Sequence, residues 1–344
     1  MRGGAAPERI VVVGNGIAGL TVAGTLREAG FDGELTVVGD EPHPAHSRPA
    51  LSKALLRDGD PLASLALPPA DHGATELLGV RATGLDPDRR LVTLDDGAVL
   101  PYDRVVLATG SRARRLSALP DEITLRGLDD ALSLRARLVG GPSVVVVGGG
   151  PLDMEIASGC LAASCRVTLV SQGVPLLRQL GPYLAAVFGR AALERGLTVV
   201  DTGSARLEER PGSARMVLDD GVVLEAELVL GAAGDVPNTE WLAGTGLTQK
   251  GVVPVDSRGF ARPDVAAVGD LAAFPTPYGL RRIPLWTTVI EQAKAAASAL
   301  VRGRDAPPLA FQPYFWTEQF ELTLKAVGYL PPEGEPAYSA AGRR

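Results

Sequence analysis

The sequence predicts an α/β fold made of two parallel-sheet units, and two internal repeats carry this prediction. A short β-branched run, a glycine-rich turn and an apolar helical pattern follow one another near position 10 and again near position 143. A Leu-Asp-Asp-Gly hairpin signal follows each copy, at 94–97 and at 218–221. The chain is therefore expected to hold two Rossmann-like dinucleotide-binding domains.

In the first copy, Ile10–Val13 predicts a strand, Gly14–Gly19 a tight turn that opens a helix, and Leu35–Val38 a second strand. The first glycine of such a turn permits the bend, the second lets a diphosphate approach the backbone, and the third lets the helix pack against the strand. The helix N-terminus adds free N–H groups for phosphate. Asp40 or Glu41, after the second strand, is expected to accept hydrogen bonds from a ribose.

The second copy departs from this pattern at two positions. Ser143–Val147 and Arg166–Val170 predict its strands and Gly148–Gly150 its turn, but Asp153 stands where the third glycine is expected. Its carboxylate either repels a bound diphosphate or complements the dipole of its own helix, and both alternatives stay open. Ser171 replaces the acid expected after the second strand, so no preference for NAD over NADP is predicted.

Composition limits the compartment and the partners. The 344 residues are 46% hydrophobic and 22% charged, and the net charge of −6 offers no electrostatic footprint for nucleic acid. Cys160 and Cys165 cannot build a disulfide framework, and three histidines leave little for a metal site. No apolar run reaches membrane-spanning length. We therefore expect a cytoplasmic protein without metal, nucleic-acid or membrane partners.

Several ordered motifs point to one family. They are Val38–Pro42, Arg48–Lys53, Ala108–Arg112, Val268–Asp270 and Tyr314–Phe320. With these motifs the chain resembles the FAD-dependent ferredoxin reductases, which are putidaredoxin reductase-like and rubredoxin reductase-like members of the pyridine nucleotide-disulfide oxidoreductase superfamily. The resemblance extends from about Ile10 to Gly328, which is nearly the whole chain.

The resemblance implies a domain organisation. Residues 1–112 and 241–312 would form a discontinuous FAD-binding domain, and residues 113–240 an inserted NAD(P)H-binding-like domain. Residues 313–344 would be a truncated C-terminal domain with its tail, because the family carries a full third domain there. The segment 331–344 is rich in Pro, Gly, Ala and Ser and is predicted to be disordered.

The resemblance also implies site residues. Lys53, Glu155 and Trp316 match catalytic positions: a cation that stabilises negative charge on the reduced flavin, and a glutamate and an aromatic near the nicotinamide. The matching cofactor contacts are Gly14, Gly16, Ile17, Ala18, Gly19, Asp40, Glu41, Arg48, Lys53, Ala82, Ala108, Thr109, Gly110, Arg126, Gly269, Asp270 and Trp286 for FAD, with Gly148 and Gly150 for NAD(P)H.

The leading hypothesis is an FAD oxidoreductase that takes hydride from NAD(P)H and passes electrons to an iron–sulfur protein such as a ferredoxin. The segment 43–53 has no cysteine pair, which excludes disulfide reduction by the route of the wider superfamily. An alternative is an FAD oxidase or dehydrogenase that acts directly on a small organic substrate and carries a degenerate NAD(P) site. A third possibility is a flavin-binding subunit that recruits a partner without turnover. The oligomeric state is not predicted.

Overall fold

The computed structural model describes residues 7–58, 62–67, 71–118, 122–210, 213–310, 312–332 and 334. The chain divides into two compact units. Unit 1 consists of Met1–Ala50, Pro61–Arg112 and Asp235–Tyr314, and unit 2 of Leu51–Asp60, Ala113–Gly234 and Phe315–Arg344. The domain boundaries implied by the resemblance stay a prediction. The disorder predicted for 331–344 falls almost wholly outside the described residues.

The helices of the described part are α1 Ile17–Glu28, α2 Arg48–Leu51, α3 Leu128–Arg137, α4 Pro151–Ala162, α5 Leu177–Glu194 and α6 Trp286–Arg302. Helical turns of other types span Ala54–Asp58, Leu62–Leu65, Glu240–Leu242 and Gly303–Asp305. The apolar face of α6 is buried, with Val289, Ala293 and Ala297 among its buried residues.

The strands are numbered in chain order. They are β1 Arg9–Val13, β2 Glu34–Gly39, β3 Thr75–Leu78, β4 Ala82–Asp86, β5 Leu91–Leu94, β6 Val99–Pro101, β7 Arg104–Leu107, β8 Ser111–Ala113, β9 Glu122–Ile123, β10 Ser143–Val147, β11 Arg166–Ser171, β12 Thr198–Asp201, β13 Ala205–Arg210, β14 Ser213–Leu218, β15 Val223–Ala226, β16 Leu228–Gly231, β17 Asp235–Pro237, β18 Val253–Pro254, β19 Phe260–Arg262, β20 Val265–Ala267, β21 Ala272–Thr276, β22 Gly279–Arg281, β23 Tyr314–Gln319 and β24 Leu322–Val327.

Unit 1 is built on a six-stranded sheet in the order β19-β20-β7-β1-β2-β3. All neighbours are parallel except β19, which runs antiparallel to β20. The parallel pair β1–β2 sets Val12 opposite Val37, and α1 makes the crossover between these two strands. Val12, Val106 and Leu26 are fully buried in the core of this unit. The βαβ unit predicted from the first glycine motif is therefore confirmed.

Unit 2 repeats the design in an all-parallel sheet of order β12-β11-β10-β16-β9. Helix α4 connects β10 to β11, as the second glycine motif predicts. The apolar pattern of this helix is interrupted, because Leu152 is exposed whereas Ile156 and Cys160 are buried. The buried face of α4 instead carries polar groups, including Asp153 and Glu155, which are 3% and 5% exposed. Sequence periodicity alone would place such carboxylates at the surface.

Both Asp-Gly hairpins are confirmed. Strands β5 and β6 pair antiparallel around Gly97, and β14 and β15 pair around Gly221. Both glycines have positive φ, of 86° and 84°, which the turn requires and which other residues adopt only with strain.

The two cysteines are free and buried, as expected for small apolar side chains. Burial raises the pKa of the Cys160 thiol to about 12, so this group stays protonated and unreactive at neutral pH. Within the described ranges, the helices are all too short or too polar to cross a membrane.

Leu26 lies on the buried face of α1, and its truncation tests the core of unit 1. Leu26→Ala is expected to lower the free energy of unfolding by about 2–5 kcal/mol, because it leaves a cavity between helix and sheet. The matched control Leu280→Ala removes the same atoms from a side chain that is half exposed and is expected to change stability by less than about 0.5 kcal/mol. Urea titrations followed by circular dichroism measure both, and equal effects would contradict the assigned core.

Candidate functional site

The first glycine turn joins β1 to α1 and depends on close backbone contacts. Gly14 has φ of 124°, and a Cβ at this position would collide with the carbonyl oxygen of Ala108. A Cβ on Gly19 would collide with the carbonyl oxygen of Gly14. The end of β1, the loop after β7 and the first turn of α1 therefore meet at a distance that only glycine permits.

The space in front of this turn is open. No described atom lies within 4 Å of the position that a Cβ on Gly16 would take. Gly16 is the N-cap of α1, and among the described residues no side chain caps its first turn. The free N–H groups there suit an anion. The side-chain amide nitrogen of Asn15 is buried without a hydrogen-bond partner in the described structure, which adds a donor beside the turn. These features fit a dinucleotide diphosphate.

Two neighbouring loops of unit 1 are fixed by the side chains of Asn238 and Gln292, which the sequence analysis missed. Thr109 donates its hydroxyl to the carbonyl oxygen of Asn238 at 2.8 Å, and the Asn238 amide returns a hydrogen bond to the Thr109 carbonyl at 2.9 Å. The N–H of Gly269 donates to the amide oxygen of Gln292 at 2.9 Å. Gln292 is 1% exposed on the apolar face of α6. A polar residue within an apolar helical stripe indicates a buried hydrogen bond, and this pattern could have identified Gln292 from the sequence.

Asp270 follows the loop after β20, as the resemblance implies for a residue near the ribityl chain. Its carboxylate accepts a hydrogen bond from the Ser111 hydroxyl at 3.2 Å. Ala82 is buried in β4, and Trp286 is half buried as the first residue of α6. The FAD roles of these residues stay a proposal.

The two acids after β2 differ in their surroundings. Asp40 is exposed, whereas Glu41 forms an ion pair with Arg48 at 2.9 Å and lies 3.6 Å from the imidazole of His46. Burial lowers the pKa of His46 more strongly than the neighbouring groups raise it, so this imidazole is neutral at pH 7. The structure thus joins Glu41 and Arg48, both expected cofactor contacts, and leaves Asp40 exposed to solvent.

The second glycine turn, in unit 2, is filled by a side chain of the protein. Asp153 accepts a hydrogen bond from the N–H of Gly150 at 2.5 Å and caps its own helix α4. A Cβ on Gly148 would collide with the carboxylate of Asp153. Burial raises the pKa of Asp153 to about 7. Of the two alternatives left open for this residue, the structure shows the helix cap, and it also places the carboxylate within the turn.

The edge of the unit 2 sheet holds an acid that sequence reasoning missed. Ser171 ends β11, and its hydroxyl donates to the carbonyl oxygen of Gly173. Asp201, at the end of the neighbouring strand β12, lies opposite Ser171 in the parallel register. Its carboxylate accepts the N–H of Gly173 at 2.8 Å. The mostly apolar run Leu197–Val200 before Asp201 was the available signal, because the carboxyl ends of parallel strands meet at the same edge of a sheet.

A buried polar cluster unites the three expected catalytic residues within unit 2. The Lys53 ammonium contacts the Glu155 carboxylate at 2.8 Å, and both side chains are less than one-tenth exposed. The ammonium also lies 4.8 Å from the centre of the Trp316 ring, a cation–π distance. The Trp316 indole donates to Glu318 at 3.3 Å, which fixes the ring from β23.

Two hydroxyl groups, which were not expected from the sequence, also donate hydrogen bonds to the Glu155 carboxylate. Ser52 donates to one carboxylate oxygen at 2.6 Å, and Thr317 donates to the other at 2.6 Å. Gln319 in turn donates to the Thr317 hydroxyl at 3.0 Å. Three donors therefore hold the buried carboxylate in one orientation, which offsets the cost of removing it from water.

Arg126 precedes helix α3 in unit 2. Its backbone N–H and that of Gly127 donate to the Asp130 carboxylate at 2.8 and 3.1 Å, which closes the first turn of this helix. The proposed contact of its side chain with FAD stays a prediction.

Comparisons with known proteins identify the family of this chain. Residues 8–299 match the model of the pyridine nucleotide-disulphide oxidoreductase family. The chain belongs to this family. Rhodocoxin reductase from Rhodococcus erythropolis is 35% identical over 334 residues, which cover 93% of this chain and 78% of that protein. The ferredoxin–NAD(+) reductase component of the p-cumate 2,3-dioxygenase system from Pseudomonas putida is 34% identical over 329 residues, which cover 93% and 81%.

The solved structures agree with the curated relatives. The crystal structure of the covalent putidaredoxin reductase–putidaredoxin complex matches with a TM-score of 0.86 at 32% identity and covers 94% of this chain and 82% of that one. The family and the fold class expected from the sequence are therefore confirmed, and the protein is an FAD-dependent oxidoreductase. The alternative of direct action on a small organic substrate is not favoured.

Two glycines of α1 make a matched pair that tests the first turn. Gly19→Ala is expected to weaken FAD binding by about 5- to 150-fold, since the added methyl forces the helix away from Gly14 at a cost of about 1–3 kcal/mol. No described atom lies within 4 Å of a Cβ on Gly24, so Gly24→Ala is expected to retain FAD and to stabilise the helix by up to about 1 kcal/mol. Fluorescence titration of apoprotein with FAD gives both affinities. Equal affinities would contradict the assigned turn.

The Lys53–Glu155 pair is tested by Glu155→Gln. The substitution leaves a buried ammonium without its carboxylate and is expected to lower the free energy of unfolding by about 3–5 kcal/mol. Glu194→Gln, at an exposed position in the same unit, is the control and is expected to stay within about 0.5 kcal/mol. Urea titration measures the two variants, and a Glu155→Gln protein as stable as the control would contradict a buried pair.

Proposed function

We propose that the protein transfers electrons from NADH, through FAD, to a ferredoxin. The open glycine turn of unit 1 carries the proposal, together with relatives named as ferredoxin–NAD(+) reductases. FAD, when bound, accepts two electrons as a hydride and releases them singly, which is the chemistry that this transfer requires.

In unit 1 the backbone provides the cofactor site. Gly14, Gly16 and Gly19 keep the first turn of α1 close to the strand ends, so its N–H groups and the Asn15 amide would bind the diphosphate. Gln292 holds the loop that presents Asp270. Asp40 would bind the ribose, because its neighbour Glu41 is engaged by Arg48. These assignments rest on contacts within one unit.

In unit 2 the protein fixes its charged groups by hydrogen bonds. Ser52 and Thr317 orient Glu155, and Glu155 holds the Lys53 side chain beside the ring of Trp316. A lysine held in this way presents its side-chain nitrogen in one position. The catalytic roles that the resemblance implies for these three residues remain part of the proposal.

NADH is the proposed donor rather than NADPH. The carboxylate of Asp201 stands at the edge of the unit 2 sheet, next to the end of β11, where the adenosine ribose of a Rossmann ligand binds. A negative charge at this edge repels a 2′-phosphate. The similar reductase component of the p-cumate 2,3-dioxygenase system is likewise named as a ferredoxin–NAD(+) reductase.

The proposal also specifies a ferredoxin as the electron acceptor and the cytoplasm as the compartment. A partner protein was found bound to a similar reductase in the putidaredoxin complex, which supports a protein acceptor. Two buried free thiols, Cys160 and Cys165, support a reduced, cytoplasmic compartment.

Anaerobic mixing with NADH tests the proposed function. The visible absorbance of the oxidised flavin is expected to bleach, and catalytic amounts of the protein are expected to reduce an added [2Fe–2S] ferredoxin. Flavin that stays oxidised at saturating NADH and saturating NADPH would contradict the proposal. Flavin that bleaches while the ferredoxin stays oxidised would contradict the assigned acceptor.

Asp201→Asn tests the proposed donor preference. Removing this charge is expected to raise kcat/KM for NADPH by about fivefold, the factor that corresponds to ~1 kcal/mol of repulsion in water, and to leave kcat/KM for NADH nearly unchanged. Glu194→Gln removes an exposed charge elsewhere in unit 2 and controls for the change in net charge. A ratio of NADPH to NADH efficiency that is the same in both variants and in the wild type would contradict the role of Asp201.

A further inference from the structure

The two glycine turns of this chain have the same position in the two sheets but different contents. In front of Gly16 the described structure leaves open space, as a ligand requires. At the second turn, a Cβ placed on Gly150 would lie 3.4 Å from the Asp153 carboxylate and 3.7 Å from the Gln179 amide. Asp153 occupies the sequence position that Gly19 has in the first turn. One turn is open, and the other already contains an anionic side chain.

We propose that the Asp153 carboxylate occupies part of the diphosphate site of unit 2 and thereby weakens pyridine-nucleotide binding, so that the enzyme binds NADH well only while this carboxyl is neutral. The inference rests on the proposed function, because it concerns the same nucleotide. It adds a residue of this chain that sets the affinity and its dependence on pH.

Hydrogen bonding is the first part of the argument. A dinucleotide diphosphate binds to N–H groups at the start of the helix. Asp153 is 3% exposed, and its carboxylate takes the N–H of Gly150, the N-cap of α4. The N–H of Leu176 donates to the carbonyl of Gly149 at 2.7 Å and so holds the following loop against the turn. A diphosphate must therefore compete with the side chain for a donor.

Charge is the second part. Glu155, on the same helix, is the ionisable group that acts on the charge of Asp153, and it disfavours ionisation. Two cations are linked to this site through other residues: Lys53 pairs with Glu155, and Arg178 on α5 precedes Gln179, whose amide lies near Gly150. Arg178 is exposed. Within the described ranges no cation forms an ion pair with Asp153, so its negative charge would act on a bound diphosphate without compensation.

Protonation is the third part. Burial raises the pKa of Asp153 from its usual range to about 7, against the opposing effect of the Gly150 N–H. Above this pH the carboxylate is ionised and repels the diphosphate. Below it the carboxyl is neutral and can itself donate a hydrogen bond to a phosphate oxygen. Nucleotide affinity is therefore expected to rise as the pH falls from 8 to 6.

Calorimetric titration of the oxidised holoprotein with NAD+ tests this inference without turnover. Wild-type protein is expected to bind NAD+ about tenfold more tightly at pH 6 than at pH 8. Asp153→Asn keeps the shape of the side chain and is expected to bind with the higher affinity at both pH values. Asp153→Gly, which restores a third glycine, is expected to do the same. Glu194→Gln, the matched surface control, is expected to keep the wild-type pH dependence.

Equal affinities for NAD+ in wild type and Asp153→Asn at pH 8 would overturn the inference, as would a wild-type affinity that does not change with pH. Failure of all the proteins to bind NAD+ would overturn it as well. Asp153→Asn decides the matter if Asp153→Gly does not fold, which circular dichroism reveals. If the variants bind NAD+ more tightly but NADH never reduces the flavin, the inference holds and the proposed function fails. If NADH reduces the flavin and the affinities are equal, the function holds and the inference fails.

Discussion

The carbonyl oxygen of Gly14 lies where a side chain on Gly19 would have to be, and the position of the first helix depends on this contact. Because neither residue carries a side chain there, the start of α1 comes close to the end of β1 and directs its N–H groups into open space before Gly16. The carbonyl of Ala108 approaches Gly14 in the same way and brings the loop after β7 to that point. An anion-binding turn thus follows from three backbone segments that pack without intervening side chains.

The second turn shows what happens when one of these glycines is replaced. The Asp153 side chain fills the space within the turn, and its carboxylate accepts the N–H of Gly150 and so caps its own helix. The same substitution provides a helix cap, which stabilises the fold, and a buried negative charge, which opposes a nucleotide diphosphate. Stability of the helix and affinity for the ligand therefore make opposite demands on one residue.

The sequence predicts the elements that depend on local pattern. The β-branched runs, the glycine turns and the Asp-Gly hairpins give the two parallel sheets, and the family resemblance brings Lys53, Glu155 and Trp316 into one list before any contact is known. What the sequence does not reveal are contacts between distant segments. Ser52 and Thr317 meet Glu155 from positions more than 100 residues away, and Asn238 meets Thr109 across 129 residues. Asp201 became a candidate only when the register of β11 and β12 set it opposite Ser171. The orientation of Asp153 also required coordinates, because a first-turn acid can face either its helix or a ligand.

An electron-transfer reductase needs one site that holds its cofactor permanently and a second site that releases the oxidised donor. The open turn at Gly16 suits the first requirement, and the turn that contains the Asp153 carboxylate suits the second. The most direct test of the central claim is a crystal structure of the oxidised protein with FAD. The diphosphate oxygens are predicted to lie about 3 Å from the backbone N–H groups of the turn at Gly14–Gly19. Electron density that places the flavin diphosphate away from this turn would contradict the account.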